Sequence, residues 1–251
     1  MDPRPAADLI QAAGAALAAA RFVRLGLSRL FPAILSYLVF LAAINLLFGV
    51  LDNTTLVYFY SYIVLEPLKC ALSIVAVREL FSVIFRNYPG IRTLGRWTIY
   101  AAIALALCIS FGATLWSGGA QGRSKIFYFE MAQRSIVFTL ALVTGTILIF
   151  LSRYPLRLHR NTIVSSIFFS ALFLSDAARL LIDSLAKYLY NDYVDGAESV
   201  FTCICLMAWA YLINAEGETV PARIAFSTPH EEHLLQQLTA LNQVMARAGR
   251  R

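Results

Sequence analysis

A chain of 251 residues is long enough for one large domain or two small ones. With 59% apolar residues, 14% charged residues and a mean hydropathy of +0.66, it is not an ordinary soluble protein, about a quarter of which is charged. The net charge of +6 resides in arginines scattered through short connections, a pattern that excludes a basic nucleic-acid-binding face and fits membrane topology.

The first apolar stretch, residues 5–22, is alanine-rich and only weakly apolar. It either spans a bilayer or lies on its surface. It carries Asp8 and Gln11 and lacks a basic leader and an A-x-A site, so no cleavable signal is expected. Further apolar runs lie near 31–51, 55–85, 95–117, 126–151, 161–186 and 194–214. Each matches the roughly 20 residues needed to cross about 30 Å of hydrocarbon.

Arginine placement orients these runs. Arg21, Arg24 and Arg29 follow the first; Arg86, Arg92 and Arg96 lie near 85–96; Arg153, Arg157 and Arg160 lie near 152–160. They alternate with "LDNTT", "SGGAQGRSK" and "KYLYNDYVDG". The positive-inside rule therefore predicts an all-α, polytopic helix bundle of seven spans with the N-terminus outside and the C-terminus in the cytoplasm. Six spans with both ends inside is the alternative. Aromatic residues, among them Tyr58, Tyr60, Tyr62, Trp116 and Tyr188, collect at the expected outer ends, as an interfacial belt requires. Residues 1–214 read as the bundle and 215–251 as a cytoplasmic linker with a short helix.

Within the second of the long runs, "YIVLEPLKCALS" places Glu66 and Lys69 three residues apart on one helical face, near mid-membrane in this orientation. Tyr62 and Ser73 share that face, and Pro67 withdraws an amide from the same turn. "FEMAQR" sets Glu130 and Arg134 four apart, "SDAARLLID" aligns Asp176, Arg179 and Asp183 with Ser165 on the same face, and Glu198 enters the last span from its outer end. An isolated charge at the bilayer centre costs about 2.5–3.5 kcal/mol on insertion scales. These groups are therefore expected to face one another or water. Three readings stay open: an outward cavity for a small polar ligand, an ion or proton pathway, or a sealed network of ion pairs that fixes bundle packing.

Other chemistry finds little footing. The three histidines, His159, His230 and His233, lie outside the spans, which argues against an embedded haem or metal centre. "SGGAQGRSK" lacks the spacing and the terminal Lys-Ser/Thr of a phosphate loop. The last span holds no lysine for a retinal Schiff base, and the spans offer no histidine as base to a serine nucleophile. The cysteines, Cys70, Cys108, Cys203 and Cys205, all fall in apolar runs and read as small buried hydrophobes. No cofactor or metal is expected.

After Asn214 the chain turns polar. Thr228, Pro229 and Glu231 form a capping signature for a helix whose stripe is Leu234, Leu235, Leu238, Leu241 and Met245. That stripe has three candidate docking partners: the protein's own loops, a second copy, or a cytoplasmic protein or the lipid surface.

The stretch "ELFSVIFRNYPGIRTLGR", residues 79–96, with the preceding "VYFYSY", resembles a group of uncharacterised bacterial multi-pass membrane proteins. In that group a helix ends in Glu-Leu-Phe and is followed by Tyr-Pro and Arg-x-x-Gly-Arg. The resemblance implies bacterial origin and seven spans and carries no function; the expected location is a bacterial inner membrane. The sequence is best read as a non-enzymatic receptor-like or scaffold protein; a transporter or proton channel is the runner-up and an intramembrane enzyme the third reading.

Overall fold

The computed structural model describes residues 4–51, 55–86, 99–106, 125–153, 158–185, 191–214 and 221–222, together with residues 97, 108, 217 and 240. The described chain is all-α. Its helices are α1 (Arg4–Arg24), α2 (Pro32–Val50), α3 (Leu56–Ile84), α4 (99–106), α5 (Lys125–Arg153), α6 (Arg160–Leu185) and α7 (Asn191–Leu212), with a single 3-10 turn at Leu27–Arg29. A two-residue antiparallel bridge joins Leu158–His159 to Pro221–Ala222. The stripe from Leu234 to Met245 lies outside the described residues, as does the arginine-rich half of the "ELFSVIFRNYPGIRTLGR" motif.

Local chemistry sets the helix ends. Gly26 closes α1 in the left-handed conformation at φ 71°, where glycine carries no steric penalty. Pro32 opens α2 at a position whose amide has no intrahelical partner. Thr55 caps α3 by accepting from the Tyr58 amide. Among the described residues, four segments are long and apolar enough to cross a membrane: Ala6–Arg24, Pro32–Val50, Met131–Ile149 and Arg160–Arg179. The 29-residue α3 is longer still, but Glu66, Lys69, Arg78, Glu79 and three tyrosines dilute its hydropathy.

Neighbouring helices alternate in direction. Asn45 of α2 donates to Gln11 of α1, and Phe48 stacks on Tyr58 at 5.0 Å, so α2 runs antiparallel to both α1 and α3. Trp209 donates to Ser165, which makes α6 and α7 antiparallel. Gly14 faces Leu206, and Arg21 donates to the Ile213 carbonyl, which makes α1 and α7 parallel. The beginnings of α1, α3, α5 and α7 thus share one end of the bundle with the ends of α2 and α6.

Alanine richness explains the place of α1. Ala15, Ala18 and Phe22 are fully buried, and small side chains let α1 lie close along both α2 and α7. At the end where α1 and α7 finish, Phe22, Phe31, Phe169 and Trp209 form an edge-to-face cluster. Ring centroids are 5.6 Å apart for Phe22–Trp209 and 5.2 Å for Phe169–Trp209. Large apolar side chains such as Val39, Leu105, Leu142 and Leu174 stand on the exterior, an apolar outer surface of the kind a lipid environment accepts.

Candidate functional site

The half of the bundle away from the aromatic cluster encloses a cavity of about 1230 Å³. Helix α1 contributes Asp8 and Gln11, α2 contributes Tyr37 and Asn45, and α3 contributes Tyr58, Tyr62, Glu66 and Lys69. Gln133 enters from α5, Asp176 and Arg179 from α6, and Glu198 and Thr202 from α7. A satellite pocket of about 20 Å³, room for one water, lies beside Glu66, Lys69, Ser73, Gln133, Asp176 and Arg179.

Glu66 is buried, yet it has two partners. Lys69 stands 3.5 Å away on the same helix, and Gln133 of α5 donates to it at 2.9 Å. A buried carboxylate held this way recovers part of its desolvation cost. Asp176 and Arg179 lie near enough to act on Lys69 electrostatically. Glu198 of α7 lines the same cavity as Asp176, and the Thr202 hydroxyl donates to Glu198 at 3.1 Å. Ser73 donates to the Lys69 carbonyl at 2.8 Å and touches the Tyr37 hydroxyl. Three helices, α3, α6 and α7, therefore bring Glu66, Lys69, Asp176, Arg179 and Glu198 into one cavity wall.

The structure separates other residues from this unit. Ser165 shares a helical face with Asp176 but lies eleven residues, or about 16 Å of helix, further down. There it accepts from the Trp209 indole at 3.3 Å, so it belongs to the aromatic cluster instead of supporting the charges. Arg134 lines neither cavity, and its buried Nε has no hydrogen-bond partner among the described residues. Glu130 lies in α5 and Asp183 in α6, but their side chains are outside the described set. Two cysteines also depart from expectation. Cys70 and Cys205 are buried, whereas Cys108 is exposed and Cys203 lines the cavity.

Glu79 has a role that its sequence position concealed. Near a helix end it reads as a side chain reaching for the interface. In the fold its two carboxylate oxygens accept the Ala33 and Ile34 amides at 3.1 and 2.9 Å, capping the positive N-terminus of α2. Gln11, Tyr37, Asn45, Gln133 and Thr202 were likewise inconspicuous in the sequence, being single polar residues in apolar runs.

Beneath the charged unit, Leu38, Leu80, Leu140, Phe169 and Phe173 are fully or almost fully buried. They belong to one apolar cluster that runs from the satellite pocket, lined by Leu140 and Phe173, to the aromatic end, where Phe169 meets Trp209, an apolar floor to the charged unit. No group of His, Cys, Asp and Glu suited to a metal ion occurs among the described residues. No protein-family model, curated protein or solved structure matches the chain, so functional inference rests on the cavity's own chemistry.

Proposed function

We propose that the protein is a seven-span, non-enzymatic receptor-like protein of a bacterial inner membrane, with the N-terminus outside and the C-terminus in the cytoplasm. Its outward-facing cavity binds a small polar ligand, and the helix built on Leu234, Leu235, Leu238, Leu241 and Met245 conveys the bound state to a second copy or a cytoplasmic partner. The observation that carries this reading is the open cavity of about 1230 Å³ lined by Glu66, Lys69, Asp176, Arg179 and Glu198. Such a volume exceeds the roughly 300–1,000 Å³ of most small-molecule sites and leaves room for a ligand with water. A sealed network of ion pairs would leave no such space.

Two features support the topology. Helix α1 packs along its length against α2 and α7 instead of lying across the bundle, which favours seven spans over six. The cavity is lined at the end where α1 and α3 begin, and Arg21, Arg24, Arg29 and Arg86 lie at or just past the other ends of those two helices, the arrangement the positive-inside rule gives an outward cavity.

Labelling of Ser199→Cys, in an otherwise cysteine-free chain, with a membrane-impermeant thiol reagent on intact cells tests the proposal. Labelling supports an outward wet cavity; protection in folded protein overturns it. The transporter or proton-channel reading draws on a different observation, the column of buried hydroxyls Thr162, Ser166 and Ser170 on α6. Two of these, Thr162 and Ser170, lack hydrogen-bond partners among the described residues. Proton flux into sealed proteoliposomes that Asp176→Asn abolishes would favour that reading over a dead-end cavity.

A further inference from the structure

We infer that the ligand class of this cavity is an organic ammonium ion with an apolar body. The inference rests on the outward-cavity reading above and specifies what that cavity takes. Three features of the walls point the same way: charge, aromatic faces and an apolar rim.

Four carboxyl side chains, Asp8, Glu66, Asp176 and Glu198, line the cavity against two cations, Lys69 and Arg179, among the described residues. Lys69 is engaged with Glu66 at 3.5 Å. Glu198 of α7 and Asp176 of α6 line the cavity together. Two such groups repel when both are ionised, and a cation placed between them removes that repulsion. An anionic ligand would add to it.

The wall built by α2 and α3 is aromatic. Phe48 packs against Tyr58 at 5.0 Å and against Tyr62 at 6.3 Å, and all three line the cavity with Tyr37. Aromatic side chains and carboxylates lining one cavity are two kinds of group from which an ammonium gains. The hydroxyls and amides of Gln11, Asn45 and Thr202 add acceptors for its N–H groups.

Size and rim exclude a bare metal ion as the natural occupant. A volume of about 1230 Å³ greatly exceeds what one hydrated cation fills. Val50, Leu51, Val200 and Ile204 also line the cavity, and Val50, Val200 and Ile204 are more than half exposed. They offer apolar surface to the body of the ligand, whose burial would contribute about 25 cal/mol per Å².

The test uses the full chain purified in detergent and three isosteric probes: phenethylammonium, 3-phenylpropanoate and neutral 2-phenylethanol. Sodium chloride at matched ionic strength serves as the inorganic-cation control. Expected is a saturable rise in unfolding temperature with phenethylammonium alone, and at least a tenfold weaker apparent affinity in Glu198→Gln and in Asp176→Asn. Glu79→Gln, at the opposite end of the bundle, should leave the affinity unchanged. An equal or larger shift with phenylpropanoate, an equal shift with sodium, or no shift with phenethylammonium overturns the inference. Should both acid variants fail to fold, protection of Ser199→Cys from thiol labelling by phenethylammonium, and not by phenylpropanoate, is the required result. The two levels fail differently: an unlabelled Ser199→Cys ends the outward-cavity reading, whereas a labelled residue that no ammonium protects ends only the assignment of ligand class.

Discussion

Gln133 of α5 donates a 2.9 Å hydrogen bond to Glu66 of α3, and that carboxylate also pairs with Lys69 one turn along its own helix. The amide ties two helices with few other close approaches to a single buried acid. Removing it strips Glu66 of its neutral partner without changing charge. Gln133→Leu should therefore destabilise the protein by about 1–3 kcal/mol, the usual penalty for a buried acceptor left short of a donor. Denaturant titration in detergent, followed by circular dichroism, measures it.

The pair itself should behave non-additively. Glu66→Leu removes the 3.5 Å partner of Lys69 but leaves it in a cavity that Asp176 also lines, and is expected to cost about 1–3 kcal/mol, whereas Glu66→Leu combined with Lys69→Leu should cost clearly less than the sum of the single changes. A double-mutant cycle reads the coupling directly. Additive effects would mean that the two side chains do not depend on each other.

Glu79 should matter for stability but not for ligands. Glu79→Ala removes both acceptors from the α2 N-terminus and is expected to cost about 0.5–2 kcal/mol, the range of helix-cap substitutions. Accessibility of Cys203, in the cavity at the other end, should be unaltered, as thiol-labelling rates would show.

Helix α1 meets α7 at Gly14, where an added methyl would stand 3.4 Å from the Leu206 Cβ. Gly14→Ala should be nearly neutral. Gly14→Leu has to force the two helices apart and should cost about 1–3 kcal/mol, visible as a lowered unfolding temperature. If α1 instead detached without loss of stability, its place as an integral member of the bundle would be wrong.

Much of this architecture was legible before any coordinates. Long apolar runs report helices well because a chain in lipid must satisfy every backbone amide internally. Every run found in the sequence contains a described helix, and Glu66, Lys69, Asp176, Arg179 and Glu198 stood out as charges where none is cheap. Helical periodicity gives direction around an axis but not level along a neighbour. That is why Ser165 seemed aligned with Asp176 yet serves Trp209, and why Arg134 stands outside the cavity. Neutral polar residues such as Gln133 and Asn45 gave no signal, because a lone amide in an apolar run looks the same whether it lines a cavity or joins two helices. The capping by Glu79 depends on a contact between residues 45 positions apart, which no local pattern encodes.

The most direct measurement is a two-sided accessibility scan, using impermeant thiol reagents on right-side-out and inverted membrane vesicles. It compares native Cys203 with Tyr62→Cys at the cavity wall and Leu80→Cys in the apolar floor, each as the sole cysteine. A dead-end outward cavity requires that Cys203 and Tyr62→Cys react in right-side-out vesicles only, and that Leu80→Cys reacts in neither. Protection of both wall positions would show a sealed network of ion pairs, and reaction of the floor from the cytoplasmic side would show a continuous pathway; either result contradicts the cavity described here.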